Sequence, residues 1–278
     1  LDIEKDGGTA ISPNPIKIRK SRPGGKVYLV GGGPGDPELI TVKGVRALRE
    51  ADVILVDRLI HPALLKYARP GADLVHCGKS PGSPGWNQEA INRLMVKHAR
   101  AGKTVTRLKG GDPFVYGRGG EEAQVLAGHG VDFEVIPGIT AGIAAPACAG
   151  IPVTHREYGS SFALITGHRK QGAEEELRWN HLARGVDTLA IYMGVKNLPY
   201  IREQLLSHGK SPDTPVALIQ WGTTGAQYTV TGTLGEVIDL ARQHEIKSPT
   251  MIVIGEVVRL REQLAWFENR DVTKKEKA

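Results

Sequence analysis

Cysteine is nearly absent: Cys77 and Cys148 are the only two in 278 residues. Two thiols exclude a disulfide-stapled scaffold and a cysteine-rich zinc site, and they suit a reducing, cytoplasmic compartment. Aromatic residues are scarce at 5%, too few for a platform on which the bases of a single-stranded nucleic acid would stack. The least polar stretch, residues 138–153, is interrupted by Pro146 and Pro152 and consists largely of small residues. No segment therefore reads as a membrane span, and no secretory leader is expected. Charge of one sign is not in large excess. Lys and Arg number 36 against 30 Asp and Glu, and three of the six net positive charges sit in residues 1–25 and 268–278. So mild a balance does not call for nucleic acid but suits an anionic ligand. The chain has no His-Glu-x-x-His, no carboxylate-rich metal loop, no Walker Gly-Lys-Ser/Thr, and no Ser-His-acid or Cys-His pattern. No metal is expected, and P-loop phosphoryl transfer and triad hydrolysis are disfavoured.

What the sequence does have is glycine, 35 residues of it, clustered after apolar runs where a chain must turn tightly or approach a ligand closely. Residues 26–30 read as a strand, followed by Gly31-Gly32-Gly33-Pro34-Gly35-Asp36-Pro37. A helix is expected over 38–51, with Leu39, Val42, Val45 and Leu48 on one face, Asp36 as its cap and Pro37 in its first turn. Strands are expected at 53–56, 104–108 and 132–136, and helices at 87–101 and 119–128. This repeat of strand, loop and helix predicts an α/β fold with mostly parallel strands. Residues 137–156 form a break holding a tightly packed helix and then a linker. A second series follows, with strands at 161–166, 188–192, 216–220, 227–233 and 251–256 and helices at 198–208 and 234–244; Thr231-Gly232-Thr233 reads as the turn out of a strand. The expected organisation is a basic tail over 1–25, a lobe over 26–150, a second lobe over 151–267 and a solvated tail over 268–278, with a cleft between the lobes as the place for a small-molecule site.

Three loops can carry chemistry. Gly31–Gly35 lies between a strand and a helix, where backbone N–H groups can hold an anion. Asp57, about 20 residues on, gives it a partial likeness to a dinucleotide loop, although Asp36 occupies the position of the last glycine in Gly-x-Gly-x-x-Gly. The second loop, Lys109-Gly110-Gly111-Asp112-Pro113-Phe114 through Arg118-Gly119-Gly120-Glu121-Glu122, offers two glycines on which a ligand can lie and an acid, Asp112, to accept hydrogen bonds. Arg118 sits just before a helix N-terminus, against the dipole, and so implies an anionic partner: a ligand, Glu121 or Glu122. The third, Pro137-Gly138-Ile139-Thr140-Ala141, places a hydroxyl at a helix start.

Together, residues 27–41, 108–122 and 136–141, with Asp57-Arg58-Leu59, Tyr192-Met193-Gly194 and Ile254-Gly255-Glu256-Val257-Val258, resemble the tetrapyrrole (corrin/porphyrin) methylases over roughly residues 26–260. The resemblance implies a two-lobed α/β fold with mixed sheets, distinct from the Rossmann methyltransferases, and a homodimer. It implies S-adenosylmethionine bound between the lobes, leaving as S-adenosylhomocysteine, on Pro34, Gly110, Gly111, Asp112, Val115, Thr140, Ala141, Met193, Ala217, Gly222 and Thr250. Thr250 stands where alanine is common, and Tyr116 where phenylalanine is common. The first glycine loop then lies beside the tetrapyrrole and the cofactor edge rather than on a pyrophosphate. The implied reaction is C-methylation of uroporphyrinogen III at carbons 2 and 7, giving precorrin-2 for sirohaem, cobalamin or haem d1. Arg58, Arg118, Arg156, His168 and Met193 are the implied substrate contacts, since eight carboxylates favour arginine forks. Arg118, Glu121 and Asp57 are the implied catalytic residues, Arg118 holding a carboxylate and developing charge while Glu121 orients it.

Overall fold

The computed structural model describes residues 24–78, 86–167 and 178–268. His168 and most of the two expected tails lie outside the described residues. Two five-stranded sheets form the core. In the first, β1 (Lys26–Gly31), β2 (Val53–Val56), β3 (Asp73–His76), β4 (Val105–Lys109) and β5 (Asp132–Ile136) run in the order β3-β2-β4-β1-β5. All four pairings are parallel, as the repeat of strand, loop and helix predicts. The registers pair Val30 with Leu108 and Ile136, and Val56 with Leu108 and His76. All five strands therefore end at one level, and the loops after β1, β2, β4 and β5 emerge side by side, the usual place for a ligand crevice in a parallel sheet.

Helix α1 (Val42–Glu50) is shorter than expected. Asp36 Oδ1 accepts from Glu38 N–H at 2.8 Å and caps only a 3-10 turn over Pro37–Leu39; Thr41 then caps α1 by accepting from Gly44 N–H at 3.0 Å. The extended backbone at Ile40 and Thr41 separates the two. Helix α2 (Gln88–Arg100) is capped by Asn87, and α3 (Gly119–Gly128) begins where its pattern predicts. The first sheet was covered by two cores, one of them filled by Val27, Leu29, Leu55, Ile91, Met95 and Leu126.

The second sheet runs β6-β7-β10-β8-β9, from β6 (Phe162–Thr166), β7 (Thr188–Tyr192), β8 (Pro215–Gln220), β9 (Tyr228–Thr233) and β10 (Thr250–Ile254). Only β6 and β7 are parallel; the other three pairings are antiparallel, so this sheet is mixed, as the resemblance implied. Thr231-Gly232-Thr233 is not a turn but the end of β9, paired with β8 residues 215–217. An added Cβ on Gly232 would stand 2.2 Å from the end of the Leu240 side chain, so a larger residue there would displace Leu240. Helix α4 (Ala141–Cys148), the small-residue segment, packs on this sheet: Ala145, Ala149 and Ile151 share a core with Ala190, Ala217, Met251 and Val253. Helices α5 (Trp179–Gly185), α6 (Leu198–Ser207) and α7 (Val237–Gln243) bury Trp179, Ile201, Leu205 and Val237 on the other face. A last short helix, α8 (Arg261–Leu264), follows β10.

Candidate active site

The three glycine loops are built on one another. Gly111 N–H donates to Gly33 O at 2.7 Å, and Gly33 N–H to Gly111 O at 3.3 Å. A Cβ on Gly31 would lie 2.5 Å from Gly138 N and 2.6 Å from Gly111 O, and one on Gly138 would lie 2.2 Å from Gly111 O. Gly31 and Gly138 are therefore glycine because backbone meets backbone, not because a ligand lies on them. Gly110 and Gly111 differ. A Cβ on Gly110 would meet only Leu59 Cβ, at 3.5 Å, and Gly111, at φ +65°, has nothing nearer than Thr140 Cα at 3.9 Å. These two leave an open backbone cradle. Asp112 closes the loop beside it, with Oδ1 accepting from Phe114 N–H at 2.8 Å and Oδ2 from Gly138 N–H at 3.0 Å.

Side chains from both sheets line a cleft of about 410 Å³: Phe114, Tyr116, Arg118, Glu121, Thr166 and Met193, with Gly119 and Gly120 in its floor. Tyr116, Arg118 and Met193 have φ of 51°, 60° and 53°. Such a conformation costs a non-glycine residue about 1–3 kcal/mol and concentrates at functional sites. Here it aims three long side chains into one space. Arg118 forks onto Glu121, with Nε–Oε1 at 3.0 Å and Nη2–Oε2 at 2.5 Å. Of the partners the sequence allows for Arg118, Glu121 is the one it meets in this structure. Both side chains stay more than half exposed, so a ligand carboxylate can compete for the guanidinium. The Glu121 hydrogen bond raises the Arg118 pKa above its ordinary value, which makes Arg118 a fixed cation and not a base.

Glu122, the neighbour of Glu121, turns inward and is fully buried. Its Oε1 accepts from Arg107 Nε at 3.1 Å, Lys109 Nζ at 3.0 Å and Gln88 Nε2 at 2.9 Å, while Arg107 Nη2 reaches Asp57 Oδ1 at 3.2 Å. Burial lowers the Lys109 pKa, with the Arg107 charge adding to the effect. Burial opposes the Arg107 charge too, but Asp57 and Glu122 outweigh it and hold that pKa up. The sequence reading missed this cluster, although a signal was present. Arg107 and Lys109 are two apart in the middle strand of a parallel sheet, so both must be buried and paired.

The other expected site residues fall into groups. Gly35 and Asp36, just after Pro34, meet the loop after β8: Asp36 N–H donates to Thr223 Oγ1 at 3.0 Å, and a Cβ on Gly35 would touch Thr223 and Thr224. Gly222 is in that loop, against Ala145. Thr250 begins β10 opposite Gln220, and its hydroxyl donates to Lys247 O at 2.6 Å. Val115 and Ala141 are half-buried at the loop after β4 and the start of α4. Ala217 is a correction: it is fully buried within β8, packed into the core under α4, and offers no surface to a ligand. The accessible residues at this strand's end are Gln220, Trp221 and Gly222. Asp57 is held by Arg107, and neither it nor Arg58 or Arg156 lines the cleft; Arg58 and Arg156 are exposed, on the loop after β2 and the turn between His155 and Gly159. Tyr192 was missed as well, despite its place in Tyr-Met-Gly. Among the described residues, no cluster of three or more His, Cys, Asp or Glu is placed to hold a metal ion.

The family model described as Tetrapyrrole (Corrin/Porphyrin) Methylases matches residues 26–238, which includes every loop of this cleft. The chain belongs to the tetrapyrrole methylases. Among proteins of known name, it is 61% identical over 234 residues to the uroporphyrinogen-III C-methyltransferase of Priestia megaterium, covering 84% of this chain and 98% of that one. It is 51% identical over 244 residues to the siroheme synthase of Pseudomonas fluorescens, of which it spans 52% while 88% of this chain is covered. The Thermus thermophilus uroporphyrin-III C-methyl transferase, solved with S-adenyl homocysteine, superposes with a TM-score of 0.73 at 42% identity, covering 85% of this chain and 100% of that one. This tetrapyrrole methylase thus has the α/β fold of its family, with two sheets and loops from both around one cleft.

Proposed function

We propose that this protein transfers methyl groups from S-adenosylmethionine to carbons 2 and 7 of uroporphyrinogen III, giving precorrin-2, the common precursor of sirohaem, cobalamin and haem d1. The observation that carries the reading is the cleft itself. Arg118, forked on Glu121, and Met193 converge there from loops of two sheets, and the same loop after β4 carries the open backbone at Gly110 and Gly111, in a chain so similar to the Priestia enzyme along almost all of the latter's length.

The residues present fit the cofactor. Gly110 and Gly111 leave room for a ligand against the backbone, with Thr140 and Ala141 the nearest groups to Gly111, and Asp112, Val115, Thr140, Ala141, Met193, Gly222, Thr250 and Pro34 are the further cofactor contacts in this reading. S-adenosylmethionine supplies a sulfonium methyl group open to attack by an electron-rich pyrrole carbon. The chain's own task is to hold the two reactants in line, which removes much of the barrier. Arg118 exchanges the Glu121 carboxylate for a substrate carboxylate and stays charged as it does so. Arg58, Arg156 and His168 are further anion contacts in this reading, and Asp57, Glu121 and His168 are the candidate acceptors of the proton released after methylation. Residues 26–150 and 151–267 act as the two lobes, the protein works as a cytoplasmic homodimer, and no metal takes part. Among the described residues no helix is long and apolar enough to cross a membrane.

The test is anaerobic incubation with uroporphyrinogen III and S-adenosylmethionine, followed by absorbance and by mass spectrometry of the product. Two added methyl groups on the macrocycle are expected. An unchanged spectrum and mass with intact cofactor would refute the assignment.

A further inference from the structure

We propose that Tyr192 sets the hydrogen-bond polarity of the cofactor site: its phenol donates to Thr140 Oγ1, so that the Thr140 hydroxyl presents its own proton, and the cofactor atom it meets is an acceptor and not the ammonium group. The inference rests on the reading above that Thr140 touches the cofactor, and it makes Tyr192 a positioning residue that acts through Thr140.

Thr140 occupies the position before α4, where a threonine oxygen ordinarily accepts from the second or third helical N–H. Here its side chain makes no such bond. The cap comes from β7 instead: Gly142 N–H donates to Tyr192 Oη at 2.6 Å, and Tyr192 Oη stands 2.5 Å from Thr140 Oγ1. A phenol has one proton. With Gly142 already donating to its oxygen, that proton goes to Thr140 Oγ1. In the opposite polarity Thr140 would donate and the phenol proton would have no acceptor among the described residues, where Gly142 N and Thr140 Oγ1 are the partners of the half-buried Tyr192 hydroxyl; polar groups inside a folded chain seldom accept that loss. Burial raises the Tyr192 pKa, outweighing the two bonds that lower it, so the phenol keeps the proton it donates. Thr140 then has its own proton left over. It stands against the open cradle, its Cα 3.9 Å from where a Gly111 Cβ would be.

The surroundings are shaped for this contact. A Cβ on Gly142 would fall 2.7 Å from Tyr192 Oη and 2.4 Å from Leu164 Cδ2, so only glycine lets the phenol reach α4. The Tyr116 ring packs on the Tyr192 ring at 5.0 Å, and its own hydroxyl is anchored on Leu164 O at 2.7 Å, which holds both rings in place.

Calorimetric titration of the full chain with S-adenosylhomocysteine tests the idea. Tyr192→Phe and Thr140→Val are each expected to raise Kd about tenfold, in the range of one lost hydrogen bond. Thr140→Ser should stay within about threefold of the parent, and Tyr192→Phe combined with Thr140→Val should bind no worse than Thr140→Val alone, because the two act as one unit. Parent-like binding by Tyr192→Phe, or a double variant whose loss is the product of the two single losses, overturns the proposal. Where Tyr192→Phe does not fold, Gly142→Ala displaces the same hydroxyl and is read in the same way. Asp112→Ala, titrated in parallel, separates the two readings. If it weakens binding while Thr140→Val does not, only this inference fails; if both bind as the parent does, the cofactor assignment of the cradle fails as well.

Discussion

Arg118 shows how much one residue's backbone decides. At φ 60° it ends the loop after β4 and begins α3, and that turn swings its guanidinium into the cleft rather than along the helix. Arg118→Ala is expected to lower single-turnover methyl transfer by about 100-fold or more, as for loss of a preorganised charge in a closed site, while S-adenosylhomocysteine binds unchanged by calorimetry. Glu121→Gln keeps one of the two acceptor oxygens for the guanidinium and should cost no more than about tenfold. The reverse order of effects would make Glu121 the proton acceptor and Arg118 its holder. Met193 is half exposed in the cleft wall at φ 53°, so it is not a core residue. Met193→Ala should change stability by less than about 0.5 kcal/mol, as surface truncations do. It should still slow turnover about 10- to 100-fold, because the reactants lose alignment. A thermal melt and a steady-state assay on the same sample check both.

At the scale of elements, α3 is pinned to β4 by a buried charge. Glu122→Ala leaves Arg107 and Lys109 buried without their shared acceptor, and the expected loss is about 3–5 kcal/mol, read as a fall in the urea midpoint. A smaller loss, near that of a surface pair, would show that water reaches the cluster. The starts of the parallel strands β6 and β7 are tied together by Asp187, whose Oδ2 accepts from Ser161 Oγ at 2.7 Å and from the Ser160 and Ser161 N–H groups at 2.9 Å. The Ser161 hydroxyl, then its backbone, lower this carboxyl's pKa below the ordinary 3.8. A depressed folded-state pKa means that the stabilisation is complete above the unfolded value and is lost as pH falls through the folded one. The Tm difference between the parent and Asp187→Asn should therefore be constant from pH 7 to about pH 5 and shrink below about pH 4. Because the side chain is exposed, the difference itself will be small.

At the scale of the whole molecule, three side-chain contacts tie loops of the first sheet to the second: Asp36 with Thr223, Thr140 with Tyr192, and Tyr116 with Leu164. Leu164 lies on β6, an edge strand of its sheet, so its carbonyl is open to a partner from outside. Tyr116→Phe keeps the ring in the cleft wall and loses only the clasp. It should cost about 0.5–1.5 kcal/mol in urea unfolding and change kcat less than about threefold. A large drop in kcat would instead place the Tyr116 hydroxyl on the substrate.

Much of this was legible in the residues. Period and turn chemistry marked α2, α3, every strand except the short β3, and the loop glycines, because a strand or helix declares itself through local spacing and the residues that start and stop it. The motifs around Gly110, Arg118 and Met193 marked the cleft for the same reason, being contiguous in the chain. Other features depend on partners far apart in sequence, and those only the tertiary structure decided. No local pattern says that Gly31 and Gly138 are glycine for the sake of Gly111 O, that Glu122 goes inward to Arg107 while Glu121 faces out to Arg118, or that Ala217 is covered by α4. The mixed pairing of the second sheet belongs here too, since the direction of a neighbouring strand is set by the path of the chain between them and leaves the strand's own spacing unchanged. Tyr192 lies at the boundary between the two. Its motif drew attention to Met193, but a hydroxyl that caps a helix 50 residues away can be found only once the strand and the helix are packed together.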